Sequence, residues 1–137
     1  MSRSGYNDGL DPMTLGRWRG AVSSAMRGKR GQEFLCEALE ALDAMPDKRL
    51  IDNNLVADDQ GPVCLLGAVA RHRKIDVSDL HPDNFRTVAP RFGLAEAMTR
   101  EIVDVNDSGN YHVETPEQRW IRMRDWIASE IRNSKGD

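Results

Sequence analysis

Cysteine is scarce in this chain: Cys36 and Cys64 are the two thiols in 137 residues, and they form no CxxC pair. A disulfide scaffold or a thiolate zinc site needs more, so the pattern suits reduced thiols in a cytoplasm. Histidine is equally sparse, with His72, His81 and His112 scattered and no HExxH pair. Neither a GK[ST] loop, a GxGxxG nor a GxSxG occurs, which removes the local patterns that cradle phosphates or expose a nucleophilic serine. Long apolar runs are missing too. The one sizeable stretch without a charged or strongly polar side chain, Gly61 to Ala70, falls well short of the roughly 20 residues a bilayer requires. The N-terminus, MSRSGYNDGLDP, has no apolar h-region, so no signal peptide is visible. With no internal repeat, low-complexity tract or long linker, the expectation is a single cytoplasmic domain over residues 1–137, with frayed tails at 1–10 and 133–137.

What is present is fold information. Hydrophobic residues make up 39% of the chain and the net charge is only −3, a balance that folds. The apolar stretch Gly61-Pro62-Val63-Cys64-Leu65-Leu66-Gly67-Ala68-Val69-Ala70 belongs in a core, as buried strand or buried helix, and is the expected hub for the flanking helices. Cys64 with a distant histidine has the residue types of a nucleophile and its base. Burial in such a run would instead raise the thiol pKa and leave it inert.

Helical periodicity accounts for most of the rest. Asp11-Pro12 is a helix start, and Leu15, Trp18, Val22 and Met26 form one apolar face after it. Gly28-Lys29-Arg30-Gly31 breaks that pattern before the clearest helix, Gln32 to Met45. There Phe34, Leu35, Ala38, Ala41, Leu42 and Met45 share a stripe, Glu33, Glu37 and Glu40 oppose it, and Pro46 ends the element. Leu50 to Ala57, the turn Asp58 to Gly61 and Pro62-Val63-Cys64 predict a small β-hairpin that leans on helices. Helix resumes over Leu65 to Arg73, where the cluster Arg71-His72-Arg73-Lys74 suits the negative end of the helix dipole. A short helix after Pro82 uses Phe85, Val88 and Phe92, with Pro90 kinking or shortening it. Leu94 to Asn106 follows, and a final helix starts at a Thr115-Pro116-Glu117-Gln118 capping signature and runs to about Ile131. Its inner stripe is Trp120, Met123, Ile127 and Ile131, with Trp126 at the edge. The fold class is therefore mainly α, a compact bundle of five or six helices with a small hairpin near 50–64.

Two stretches invite a functional reading. Asp104-Val105-Asn106-Asp107-Ser108-Gly109 imitates the start of a calcium loop, but position 12 is Thr115 rather than the bidentate glutamate the ion needs, and no metal site follows. Charge is the other signal. Arg3, Arg17, Arg19, Arg27, Lys29 and Arg30 stand against Asp8 and Asp11 within the first 30 residues, while the chain as a whole is negative. Such asymmetry marks either a basic arm for a partner or nucleic acid, or a solvated helix face. Arg17, Arg19, Arg27, Lys29 and Arg30 are the candidate binding residues. Trp18, on the apolar stripe, belongs to the core rather than to a stacking site for a base. No catalytic residue and no cofactor emerges.

Gly61-Pro62-Val63-Cys64-Leu65-Leu66-Gly67-Ala68-Val69 resembles the "CCLG" or "CALGA" segment of small bacteriophage and prophage proteins. Val105-Asn106-Asp107-Ser108-Gly109, followed by a capped helix, resembles their recurrent "NDxG" turn. Arg27 to Phe34 together with Ala41 to Pro46 is similar to a narrower set from proteobacteria and their phages. The likeness spans about residues 14–131; Val63 stands where a second cysteine is usual, and Pro90 interrupts a usually plain helix. It carries over no functional residue. What it implies is a setting in the host-cell cytoplasm and an action by stoichiometric binding to a host or bacterial-defence protein, as an anti-CRISPR or other anti-defence inhibitor. A nucleic-acid-binding accessory protein using the basic N-terminal third, and a small enzyme with an unrecognised site, are the alternatives. No membrane is implied, and the oligomeric state is open.

Overall fold

The computed structural model describes residues 12–52, 55, 63–108 and 114–132, apart from the side chains of Pro12 and Leu15. Among them are six helices: α1 (Pro12–Arg27), α2 (Lys29–Ala44), α3 (Leu65–Arg73), α4 (Phe85–Phe92), α5 (Glu96–Asp107) and α6 (Pro116–Glu130). Every residue from Val63 to Ala70 is buried, so this part of the apolar stretch lies in the core as expected, entering as an N-cap and the helix α3; the helix that most others pack on is α5. A helix buried on all sides needs neighbours on all sides. Here α2 and α5 pack on α3, α1 and α6 pack on both α2 and α5, and α4 packs on α5.

The join between α1 and α2 is tighter than the Gly28–Gly31 break predicts. Only Gly28 lies outside a helix, and Lys29, Arg30 and Gly31 form the first turn of α2. Gly31 is buried because the α1 backbone crosses it; a Cβ there would sit 2.0 Å from the Ala25 carbonyl oxygen. Close backbone approach, not helix breaking, is what this glycine supplies. At the other end α2 stops as foreseen: Met45, directly before Pro46, is extended at φ −65, ψ 127.

The small hairpin expected near 50–64 is not formed among the described residues, which contain no strand. The segment instead crosses the front of α3 with isolated bonds. Ile51 N–H donates to the Val63 carbonyl at 2.9 Å, Cys64 N–H to the Leu55 carbonyl at 3.0 Å, and Leu50 N–H to the Pro116 carbonyl at 3.0 Å. Leu50 and Leu55 are both buried, at 0% and 3% exposure. Residues five apart on one strand point to opposite faces, so burying both requires the chain to leave strand geometry. Gly67 fits this crossing, since a Cβ on it would lie 1.9 Å from the Leu55 oxygen. The expected turn Asp58–Gly61 lies outside the described residues, as do Pro62, Asp11, His112, Gly109 and the tails 1–10 and 133–137.

The remaining helices follow their patterns. Thr115 and Gln118 make the reciprocal capping box, with Gln118 N–H to Thr115 Oγ1 at 3.1 Å and Thr115 N–H to Gln118 Oε1 at 2.9 Å. Pro90 sits inside α4 and the helix ends two residues later at Phe92, capped by Gly93 with φ 71. The Asp104–Ser108 stretch is not a cation loop; its first four residues are the last turn of α5. Asn106 points inward, 1% exposed. Its Oδ1 accepts from the Leu65 N–H at 3.2 Å, an orphan donor at the start of α3, and its Nδ2 donates to the Ile51 carbonyl at 2.9 Å. Its own carbonyl accepts from Arg119 Nε at 3.0 Å and Arg122 Nη2 at 3.1 Å. One asparagine thereby links α3, α5, α6 and the 50–55 crossing.

Candidate partner-binding cleft

Since α1 and α6 each lie on α2 and α5, a cleft runs between them, with a cavity of about 340 Å³. On α1, Arg19, Ser23 and Arg27 recur every four residues and form one edge, beside the buried Val22 and Met26. The α6 side supplies the half-buried Trp126, Ser129 and Glu130, with Arg132 just beyond the helix end. Glu101 of α5, 2% exposed, completes the lining.

Gln32 sets the width of this cleft. From the first turns of α2, its Nε2 donates to the Met26 carbonyl of α1 at 2.7 Å and to the Glu130 carbonyl of α6 at 3.0 Å. Its Oε1 accepts the Arg132 backbone N–H at 2.7 Å. A single amide therefore satisfies groups at the C-terminal ends of both walls.

The cations singled out by the sequence do not form one site. Arg19 and Arg27 line the cleft. Arg17, two residues from Arg19 and so about 200° round the helix, donates Nη2 to the Met13 sulfur at 3.3 Å on a different face. Lys29 is exposed in the first turn of α2. Arg30 borders a second depression of about 350 Å³, with Glu33, Phe34, Glu37, Arg73, Phe92 and Gly93. Within that depression Arg73 holds Glu37 through two bonds of 2.8 and 2.6 Å and lies against the Phe34 and Phe92 rings, so those two charges are matched. Trp18 is half-buried against the core with Arg100 over its ring at 5.0 Å, as its place on the apolar stripe foretells.

What unites Arg17, Arg19, Arg27, Lys29 and Arg30 is that none has a carboxylate partner among the described residues. Five later arginines contrast with them: Arg49 pairs with Asp47, Arg73 with Glu37, Arg91 with Asp79, Arg122 with Glu114 and Arg124 with Asp43, while Arg86 on α4 is exposed like the N-terminal cations. These bonds hold each of those carboxyls below its usual range. Arg119 is 7% exposed and lies 3.3 Å from Glu114 and 3.6 Å from Asp52.

Sequence reasoning missed Trp126, Glu101, Gln32 and Arg132 as a group. They come from three helices and a helix end, and no local pattern joins them. Only Trp126, at the margin of its stripe, carries a signal.

The cleft can hold an anion beside an apolar body. Neither an imidazole nor a thiol lines it. Cys64 lies elsewhere, in the core, with burial pushing its pKa up to about 12. Among the described residues no cluster of three or more His, Cys, Asp or Glu has the arrangement of a metal site, and no helix is long and apolar enough to cross a membrane. No protein-family model, no curated protein and no solved structure matches the chain.

Proposed function

We propose that this is a phage-type protein that acts by stoichiometric binding to a host or bacterial-defence protein, in the manner of an anti-CRISPR or other anti-defence inhibitor, and not by catalysis. One observation carries the reading: the exposed cations of α1 and the first turn of α2 have no acidic partner among the described residues, whereas the five later arginines named above are paired. Exposed charges held on rigid helices steer and register an oppositely charged protein surface. Trp and Arg side by side, as at the α1–α6 cleft, are also the residue types that carry most of an interface's energy.

The same cations support nucleic-acid binding as the second reading. Against it, they are spread over separate faces rather than along one track, and Glu101 and Glu130 share the cleft with Arg19 and Arg27. Carboxylates there oppose a phosphate backbone. The test is capture from host lysate on the immobilised chain, with and without nuclease. A recurrent protein that survives nuclease supports the binder. Capture that vanishes with nuclease, and whose strength falls steeply with salt, transfers the function to nucleic acid.

A further inference from the structure

Resting on that binding reading, we infer that the α1–α6 cleft is the docking site and that its occupant is an acidic, extended segment of the partner protein. The segment presents two carboxylates flanking an apolar or aromatic side chain.

The geometry sets this chemistry. Arg19 and Arg27 are eight residues apart on one helix, so their attachment points are about 12 Å apart along the axis. An extended peptide places residues i and i+4 about 13 Å apart, and residues i, i+2 and i+4 on the same face. Two acids at i and i+4 would thus meet the two guanidiniums, and the side chain at i+2 would enter between them. What it meets is Val22, Met26 and the half-buried indole of Trp126. The cavity of about 340 Å³ is roomy enough for a large side chain. Glu130 on the opposite wall disfavours a uniformly anionic chain, so acids alternating with an apolar anchor suit the cleft better than a continuous run of negative charge. Gln32 keeps the two walls joined, so the site is formed before the partner arrives.

The test uses a seven-residue peptide with glutamates four apart and a phenylalanine midway. Its effect is followed on the Trp126 indole N–H by nuclear magnetic resonance of the full chain, with that resonance assigned through Trp126→Phe. The expected result is a saturable shift of this signal, at least tenfold weaker binding when both glutamates are replaced by glutamine, and at least a tenfold loss in the R19A/R27A variant. Arg86→Ala, exposed on α4 and outside the cleft lining, should bind as wild type. No shift at millimolar peptide, or equal binding by R19A/R27A, overturns the inference. So does tighter binding of a 12-base-pair DNA duplex through the same arginines at physiological salt. Concentration-dependent dimerisation abolished by R19A/R27A also overturns it, in favour of a second copy of this chain. If R19A/R27A still captures a nuclease-resistant partner, the cleft assignment falls while the binding function stands; if no partner is captured by the wild type, the function itself falls.

Discussion

The side-chain oxygen of Gln32 accepts the backbone N–H of Arg132 at 2.7 Å, across 100 residues of sequence. Because the amide nitrogen of Gln32 also reaches Met26 and Glu130, the ends of α1 and α6 are tied to the first turns of α2 and to each other. This tie is what turns two helices lying side by side on α5 into the walls of a defined cleft.

Replacing Gln32 by leucine keeps bulk and removes all three bonds. The expected loss is about 1–3 kcal/mol, the range for leaving partly buried backbone groups unsatisfied. Urea unfolding should show it as a lower midpoint with an unchanged slope. Amide exchange at Arg132 should rise more than at Leu42, whose helix interior does not depend on the tie.

Glycines divide by what surrounds them. Gly67→Ala forces a Cβ to within 1.9 Å of the Leu55 oxygen and Gly31→Ala to within 2.0 Å of the Ala25 oxygen, both backbone atoms. Each should cost about 1–3 kcal/mol or more through overpacking. Gly16→Ala in α1 meets nothing within 4 Å and should stabilise by up to about 1 kcal/mol through helix propensity. Thermal unfolding of the three variants should place Gly16→Ala above wild type and the other two below.

Acid should weaken the fold through Glu114. Hydrogen bonds from Arg122 hold its carboxyl below the usual value of 4.5, and they outweigh the burial that would raise it. A folded pKa below the unfolded one gives stability that is fully present above the unfolded value and is lost as pH falls through the folded value. Stability should therefore be level through neutral pH and decline below about pH 4.5. Glu114→Gln should be less stable than wild type at pH 7, and the gap should narrow as the pH falls below about 4.5 and the carboxylate is protonated. A gap independent of pH would contradict the linkage.

The two thiols should react differently. Cys36 is exposed on α2, whereas Cys64 is buried and its pKa is pushed up to about 12. At pH 8 a thiol reagent should modify Cys36 in the native chain and Cys64 only on unfolding. Fast labelling of both without denaturant would contradict the buried N-cap of α3.

The helices were legible because each leaves a periodic or capping signature on its own sequence. Thr115 and Gln118 are three residues apart, and their bond pattern could be written down from that spacing. Leu50 and Leu55 misled, because a short apolar-ended segment followed by a turn looked like a hairpin arm while the core takes both leucine side chains. The clamp at Gln32 and the hub at Asn106 were not legible at all. Each is an uncharged amide with two partners that lie from 41 to 100 residues away, and nothing local marks it. For the candidate site the sequence supplied the cations but not their grouping. Helix phase separates Arg17 from Arg19, and only packing brings Arg19 and Arg27 to face Trp126.

The central claim is that this chain works by forming a fixed complex with another protein. Native mass spectrometry of the chain eluted from nuclease-treated host lysate tests it most directly. The account predicts a complex of whole-number stoichiometry with one recurrent protein and no nucleic acid, lost or weakened at least tenfold in R19A/R27A. Elution of the chain alone, or only with nucleic acid, would contradict it.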